Sequence, residues 1–349
     1  MIALAFAALL QQPADVQSGL CQRALAAAPA YSICTETPHG VALAMDQANA
    51  DALARHASAG EARFQTYFAR NIAPYAVTSS STPLDRGALE TAGFVHVLPW
   101  PDPEAFDRAR RQGIEAAARQ FASSQGLGAV QADQLVARAL ANGGAEGGKA
   151  ALDAGMLPHE LGHLWFTQAF WPAAGQGDEG DEGVSHYGGP GPDWLDELAA
   201  ILLEDGPTTD RRRAQMQLLL RGEVVPTIGP VAGRDALLDL KGFLSRAHPA
   251  LARVQMAPPN LPAGGGVALV YTPAGGAPSA AAQERLFYIQ ARAFADFLID
   301  KTGRPTVFAD IAQALAEERT FEAWLSTDGA ALGLPDTIDG LDRLWREGR

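Results

Sequence analysis

The chain has 349 residues, of which 47% are hydrophobic, and its 27 basic and 40 acidic residues give a net charge of −13. This length can bury a large core, in two domains or in a single large one. No basic cluster is long enough to follow a phosphate backbone, so nucleic acid is not an expected partner.

The N-terminal residues resemble an export signal. An apolar run from Ile2 to Leu10 is followed by two glutamines and Pro13, as in the centre and end of a secretory signal peptide that lacks its basic start. We therefore interpret residues 1–13 as a signal-peptide remnant and expect an exported protein, periplasmic or secreted. An N-terminal core helix is the alternative. The run is too short to cross a bilayer, and no later segment qualifies as transmembrane.

Cys21 and Cys34 are the two cysteines of the chain. An even count in an exported chain predicts one disulfide that closes a short loop. Two buried thiols are the alternative.

Residues 14–150 are predicted to form an N-terminal part with both helices and strands. Apolar residues recur at three-to-four spacing in four segments, which predicts helices at 14–28, 45–70, 103–124 and 131–141. Short apolar runs predict strands at 75–78 and 94–98, and Pro99 and Pro101 are expected to end the second strand. A glycine-rich segment from Asn142 to Gly148 then breaks the helical pattern.

The predicted fold class is α+β. We expect a small mixed sheet with helices in the N-terminal half and a mainly helical C-terminal half, residues 151–349. A zincin-like cleft between the two halves is the expected place for a functional site.

The C-terminal half opens with a His-Glu-x-x-His motif formed by His159, Glu160 and His163. On a helix the two histidines leave the same face one turn apart, so both imidazoles can bind one metal ion. Glu160 lies about 100° around the helix from His159, where its carboxylate can reach a water on that ion without being a ligand.

Pro158 bears on where this helix begins. Proline is tolerated in the first turn of a helix, so we predict a start near Gly155 or Met156, with a kink as the alternative. The aromatic residues that follow are expected to anchor the helix in the core: Trp165, Phe166, Phe170 and Trp171.

A zinc ion bound in this way needs a third protein ligand and an open fourth position for water. A third histidine six residues after the motif, preceded by a glycine, is excluded because those positions hold Ala169 and Phe166. A glutamate from a later helix is the other solution. Residues Pro192 to Glu204 have the pattern of such a helix, and Glu197 lies in its apolar stretch. An ionised carboxylate there is costly unless it is paired or bound to a metal.

Residues 173–193, between the motif and this helix, form an acidic, glycine-rich insert. Such a composition predicts a solvated loop, because it offers little apolar surface for packing. A rim that shapes access to the cleft and a calcium site are the alternatives. His186, within the insert, is the alternative third ligand.

Two segments carry a family resemblance. Leu157 to Phe166, taken with Trp194-Leu195-Asp196-Glu197-Leu198-Ala199-Ala200, resembles the gluzincin zinc metallopeptidases, the clan of thermolysin and aminopeptidase N. The chain is most similar to the bacterial peptidase MA-like group. The resemblance implies one Zn²⁺ ion with His159, His163 and Glu197 as ligands and Glu160 as the general base.

A third segment, Phe287 to Leu298, resembles the tyrosine helix of the same clan. This implies that Tyr288 donates a hydrogen bond to the oxyanion, and a core aromatic is the alternative. The chain departs from the thermolysin branch at Ile201, where an aspartate would orient a histidine. We expect Glu204 or a backbone carbonyl to replace it.

The predicted function is zinc-dependent hydrolysis of a peptide bond in a peptide or protein substrate, with a metal-activated water as nucleophile and Glu160 as the base. The alternative is a non-catalytic, exported zinc-binding or scaffold protein that keeps the fold. The remaining histidines have no partner at ligand spacing and are predicted to be ordinary surface or core residues: His39, His56, His96 and His248.

Overall fold

The computed structural model has the predicted α+β fold. Two units are distinguished by their internal contacts, the first comprising Met1–Ser58 and Ala73–Asp102 and the second Ala59–Ile72 and Pro103–Arg349. The structure describes residues 19–79, 84–142, 149–172, 189–225, 237–249 and 280–348. The predicted signal segment, and the acidic residues of the insert together with His186, lie outside these described residues.

The first unit contains a four-stranded mixed sheet in the order β1-β2-β3-β4. Strand β1 runs antiparallel to β2, whereas β2, β3 and β4 are parallel. Parallel neighbours need a crossover connection, and helices follow β2 and β3 along the chain for this reason. The elements are α1 (Leu20–Ala27), β1 (Ile33–Glu36), β2 (Gly40–Ala44), α2 (Gln47–Phe68), β3 (Tyr75–Ser79), α3 (Arg86–Thr91) and β4 (His96–Trp100). The part of α2 from Ala59 onwards belongs to the second unit.

The central strands β2 and β3 are buried at every position. Strand β2 is a short apolar run without alternation, and β3 is apolar from Tyr75 to Val77, as expected for strands covered on both faces. Strand β2 begins at Gly40, where a side chain would meet Tyr75 O at 2.5 Å, so glycine permits the close approach of the two strands. The predicted helix 45–70 and strand 75–78 are confirmed as α2 and β3.

Strand β4 corrects one expectation. Pro99 and Pro101 were expected to end the strand at Leu98, but β4 continues through Pro99 to Trp100. The prediction is wrong because β4 is the last strand in the sheet order, and a proline on an edge strand forfeits no ladder hydrogen bond on its open side.

The predicted disulfide between Cys21 and Cys34 is present and links α1 to β1. It lies beside an apolar cluster to which α1, the sheet and α3 all contribute, including Leu20, Leu43 and Leu89. The bond thus closes a short loop against the core of the first unit.

The second unit is helical, as predicted. The predicted helices 103–124 and 131–141 are confirmed, although both belong by their contacts to this unit. Along the chain after residue 102, the described helices of this unit are α4 (Pro103–Ser124), α5 (Ala129–Asn142), α6 (Lys149–Phe170), α7 (Asp193–Leu202), α8 (Gly206–Leu220), α9 (Leu240–Leu244), α10 (Ala280–Thr302), α11 (Val307–Ala316), α12 (Phe321–Trp324) and α13 (Ile338–Glu347).

Helix α6 begins at Lys149, so the predicted start near Gly155 or Met156 is wrong and Pro158 lies inside the helix. An interior proline removes one helical hydrogen bond. Helix packing compensates here, because Leu157 and Leu161, on either side of Pro158, are fully buried. Pro158 itself packs against Gly60, where a side chain would lie 3.0 Å from its Cβ.

Aromatic residues pack along the second half of α6, as expected for Trp165, Phe166 and Phe170, whereas Trp171 follows the end of the helix and is only partly buried. Trp165, Phe166 and Phe170 are buried. Their rings contact Phe64 and Phe68 from the end of α2, at centroid separations of 5.3–6.1 Å. This cluster holds the motif helix by burial of large apolar rings. None of the described helices is both long and apolar enough to cross a bilayer.

We expect His96 to make the stability of the first unit sensitive to acid. Burial lowers the pKa of its imidazole to about 4. The unfolded chain takes up this proton near pH 6.5, whereas the folded chain does so only near pH 4, so stability falls as the pH drops through this window. We expect His96→Gln to remove roughly 1–2 kcal/mol of the stability loss between pH 7 and pH 5, measured by urea unfolding. Identical pH dependence of variant and parent would contradict this assignment.

Candidate metal centre

Three buried side chains from two helices form a potential metal site. His159 and His163 extend from one face of α6, one turn apart, with their rings 5.0 Å apart. Glu197 comes from α7. One ligand atom of each residue lies within 4.8 Å of those of the other two. The residues predicted as ligands are thus brought together, and the cluster could hold a metal ion.

The close approach of α6 and α7 depends on Gly162. A side chain at this position would lie 3.0 Å from Ala200 Cα and 3.3 Å from Leu203 Cδ2. Every residue of α7 is buried, including its three acidic residues. A glycine in the motif therefore allows a fully buried helix to place Glu197 opposite the two imidazoles.

Each motif histidine is oriented by a carboxylate at its Nδ1 atom. His159 Nδ1 lies 3.2 Å from Glu204 Oε1, and His163 Nδ1 lies 2.8 Å from Asp196 Oδ2. A carboxylate at Nδ1 favours the tautomer whose Nε2 lone pair is available to a metal. Of the two partners expected for a motif histidine, Glu204 or a backbone carbonyl, Glu204 is the one that contacts His159.

The Nε2 atoms of both histidines face Glu197. His159 Nε2 is 3.6 Å from Glu197 Oε2, and His163 Nε2 is 3.8 Å from Glu197 Oε1. Ligand atoms on a tetrahedral ion with bonds near 2.1 Å are separated by about 3.4 Å. The separations between these nitrogen and oxygen atoms therefore suit a single ion.

Arg212 on α8 supports the Glu204 carboxylate. Its guanidinium binds both oxygens of Glu204, and its Nε is 2.6 Å from Oε2. The same guanidinium lies over the ring of Tyr288, 4.9 Å from its centroid. Both partners of the ion pair are largely buried, so the paired charges stabilise the site where a lone carboxylate would be costly. Arg212 was not identified from the sequence.

Electrostatics keep the centre charged. Burial alone would raise the pKa of Glu197, but the adjacent His248 and the nearby His163 and His159 lower it to about 2. Burial alone would lower the pKa of His163, but Asp196, Glu197 and Glu160 raise it to about 10. These shifts favour the ionised form of Glu197 at neutral pH, and a metal ion that bound here would displace the proton of His163.

Glu160 and Tyr288 flank the ligand cluster. Glu160 is only partly buried, whereas the three ligand residues are 1–9% exposed. The ring of Tyr288 on α10 lies 6.0 Å from that of His159, and its hydroxyl donates to Glu284 Oε1 at 3.1 Å. The predicted roles of Glu160 and Tyr288 remain predictions, and so does a cleft between the two halves.

His248, which was predicted to be an ordinary surface or core histidine, contacts the ligand cluster. Its side chain is buried, and its Nε2 lies 3.0 Å from Glu197 Oε1. His248 lies in a short segment after α9, at no metal-ligand spacing from the motif histidines, so no sequence pattern links it to them. Only the tertiary packing brings it to Glu197.

No family model, curated protein or solved structure matches the chain. What the centre can do is therefore inferred from the residues of this chain alone.

The role of Gly162 can be tested by Gly162→Ala. We expect the added methyl group to push α7 away from α6 by a few tenths of an ångström and to weaken zinc binding about tenfold, measured by competition with a chromophoric chelator. Gly113→Ala is the matched control, since a side chain at that helical glycine meets nothing within 4 Å. Equal zinc affinity for the two variants would show that the close approach is unimportant.

Proposed function

We propose that the chain is a zinc-dependent peptidase of the gluzincin type, which hydrolyses peptide bonds with Glu160 as the general base. The observation that carries the proposal is the convergence of two carboxylate-oriented imidazoles on Glu197. Three protein ligands leave one position of a tetrahedral ion open, as catalytic zinc sites require.

Two imidazoles and one carboxylate also bind iron(II) in oxygenases, so the donor set alone does not select the metal. Glu160 favours zinc hydrolysis. It follows His159 in the sequence and is not a member of the ligand cluster. A carboxylate that is not a ligand and is partly exposed suits the transfer of a proton from water to a leaving group, which a hydrolase needs.

In this proposal, different residues carry out the separate steps of peptide-bond hydrolysis. A bound zinc ion would lower the pKa of a water and polarise the scissile carbonyl. Glu160 would accept a proton from the attacking water and pass it to the leaving nitrogen. Asp196 and Glu204 would keep the two imidazoles in a fixed orientation during the reaction. Tyr288 lies near enough to the centre for its hydroxyl to leave Glu284 and donate to the oxyanion.

We also propose that the protein is exported. The disulfide between Cys21 and Cys34 supports it, because such bonds persist in oxidising compartments. Recovery of the native protein from the cytoplasm alone would contradict export.

The proposed base is tested by Glu160→Gln. The amide keeps the shape of the side chain but cannot accept the proton, so we expect zinc content to be retained and cleavage of a peptide library to fall at least about 100-fold. Cleavage by the parent should stop with a chelator and return with zinc. Cleavage position in the library also reports side-chain preference.

Glu115→Gln serves as the matched control, because Glu115 is an exposed residue on α4 that pairs only locally with Arg119. It should cleave like the parent. If Glu160→Gln cleaves as fast as the parent, Glu160 is not the base. Zinc binding by the parent without chelator-sensitive cleavage would favour the scaffold alternative.

A further inference from the structure

We propose that His248 is a positioning residue for the metal ligand Glu197. In this arrangement His248 Nε2–H donates a hydrogen bond to Glu197 Oε1, which leaves Oε2 as the oxygen offered to the metal. The proposal rests on the proposed metal centre and assigns a role to a histidine that lies outside the motif.

The distance between the two side chains fits a hydrogen bond. His248 Nε2 lies 3.0 Å from Glu197 Oε1, within the usual range for N–H···O contacts. The motif histidines keep their Nε2 atoms farther from the same carboxylate, at 3.6 and 3.8 Å. Of the three imidazoles, that of His248 therefore lies closest to the carboxylate, through Oε1, and the motif histidines face the carboxylate at longer distances.

His248 is fixed to α7 at two points. Its backbone N–H donates to Asp193 Oδ2 at 2.6 Å, while its ring contacts Glu197. Asp193 and Glu197 are four residues apart and lie on one face of α7. Asp193 therefore holds the main chain of His248 at the distance from which its ring can reach the ligand carboxylate.

Aromatic rings of α10 restrict the imidazole further. The ring of Phe287 meets it edge-on, with centroids 5.4 Å apart, and the ring of Tyr288 lies 5.7 Å away. His248 is only 1% exposed. An imidazole held by its main chain and by two rings has little freedom, so it can fix the orientation of the carboxylate that it bonds.

His248 is not a member of the ligand group. Among the described residues, the atoms that converge closely enough to bind one ion belong to His159, His163 and Glu197. A hydrogen bond to one oxygen of a carboxylate ligand orients that ligand, and such contacts commonly change metal affinity 10–100-fold.

The tautomers of the histidines test the proposal in the intact, zinc-loaded protein. With ¹⁵N-labelled histidine, we expect protons on Nδ1 of His159 and His163 but on Nε2 of His248. Single His→Gln variants assign the signals. A proton on His248 Nε2 supports the proposal. A His248 Nε2 without a proton, whether bound to zinc or not, overturns it.

Zinc affinity provides the second test. His248→Gln keeps an N–H donor at the position of Nε2 and should bind zinc within about threefold of the parent, whereas His248→Leu should bind it 10–100-fold more weakly, about the range for lost supporting contacts. His96→Gln, in the first unit, is the matched control and should bind like the parent.

The outcomes separate this proposal from the one on which it rests. If the parent binds zinc and His248→Leu binds it equally well, or if the glutamine variant is as weak as the leucine variant, the role of His248 is overturned and the metal centre stands. If the parent itself binds no zinc, both proposals fall. If His248→Leu does not fold, the tautomer of His248 in the parent decides.

Discussion

The buried negative charge of Glu197 is the constraint on which the centre depends. The residue is 1% exposed and lies in a helix whose other members are also buried. A carboxylate in such surroundings is stable only if positive groups or hydrogen-bond donors surround it. Three imidazoles provide those surroundings, from α6 and from the segment after α9. The helices must therefore meet where the histidines are.

The acidic residues around the centre form an ordered set with separate partners. Asp193 binds a backbone N–H, Asp196 and Glu204 orient the two motif histidines, and Arg212 balances Glu204. Each of these contacts fixes a residue that is itself a potential metal ligand or that touches one. Helix α7 with the turn after it thus contributes both the third potential ligand and most of the groups that orient the centre, and the helix is buried along its whole length.

The sequence predicted the ligand cluster because local rules apply there. The four-residue spacing of His159 and His163 has one geometric meaning on a helix, and Glu197 was conspicuous as an acid in an apolar helix. Glu204 was expected, as an alternative to a backbone carbonyl, because the resemblance implies an aspartate at the position that holds Ile201. His248 and Arg212 carried no such signal, since their roles arise from contacts between segments far apart in the chain.

The secondary structure was likewise predicted where local patterns are clear and missed where they are not. The long helices and β3 were predicted from periodicity, but β1 and β2 were not. The residues of β2, Gly40 to Ala44, are small and apolar without alternation, so a strand covered on both faces cannot be told from a helical segment by pattern. Pro158 misled the prediction of where α6 begins, because the packing of Leu157 and Leu161 outweighs one lost hydrogen bond.

Anomalous X-ray diffraction at the zinc edge, from crystals of protein purified without added metal and then loaded with zinc, tests the central claim most directly. The account predicts one strong peak about 2.0–2.2 Å from His159 Nε2, His163 Nε2 and an oxygen of Glu197. No peak between these three atoms, or a single peak bound elsewhere in the chain, would contradict it.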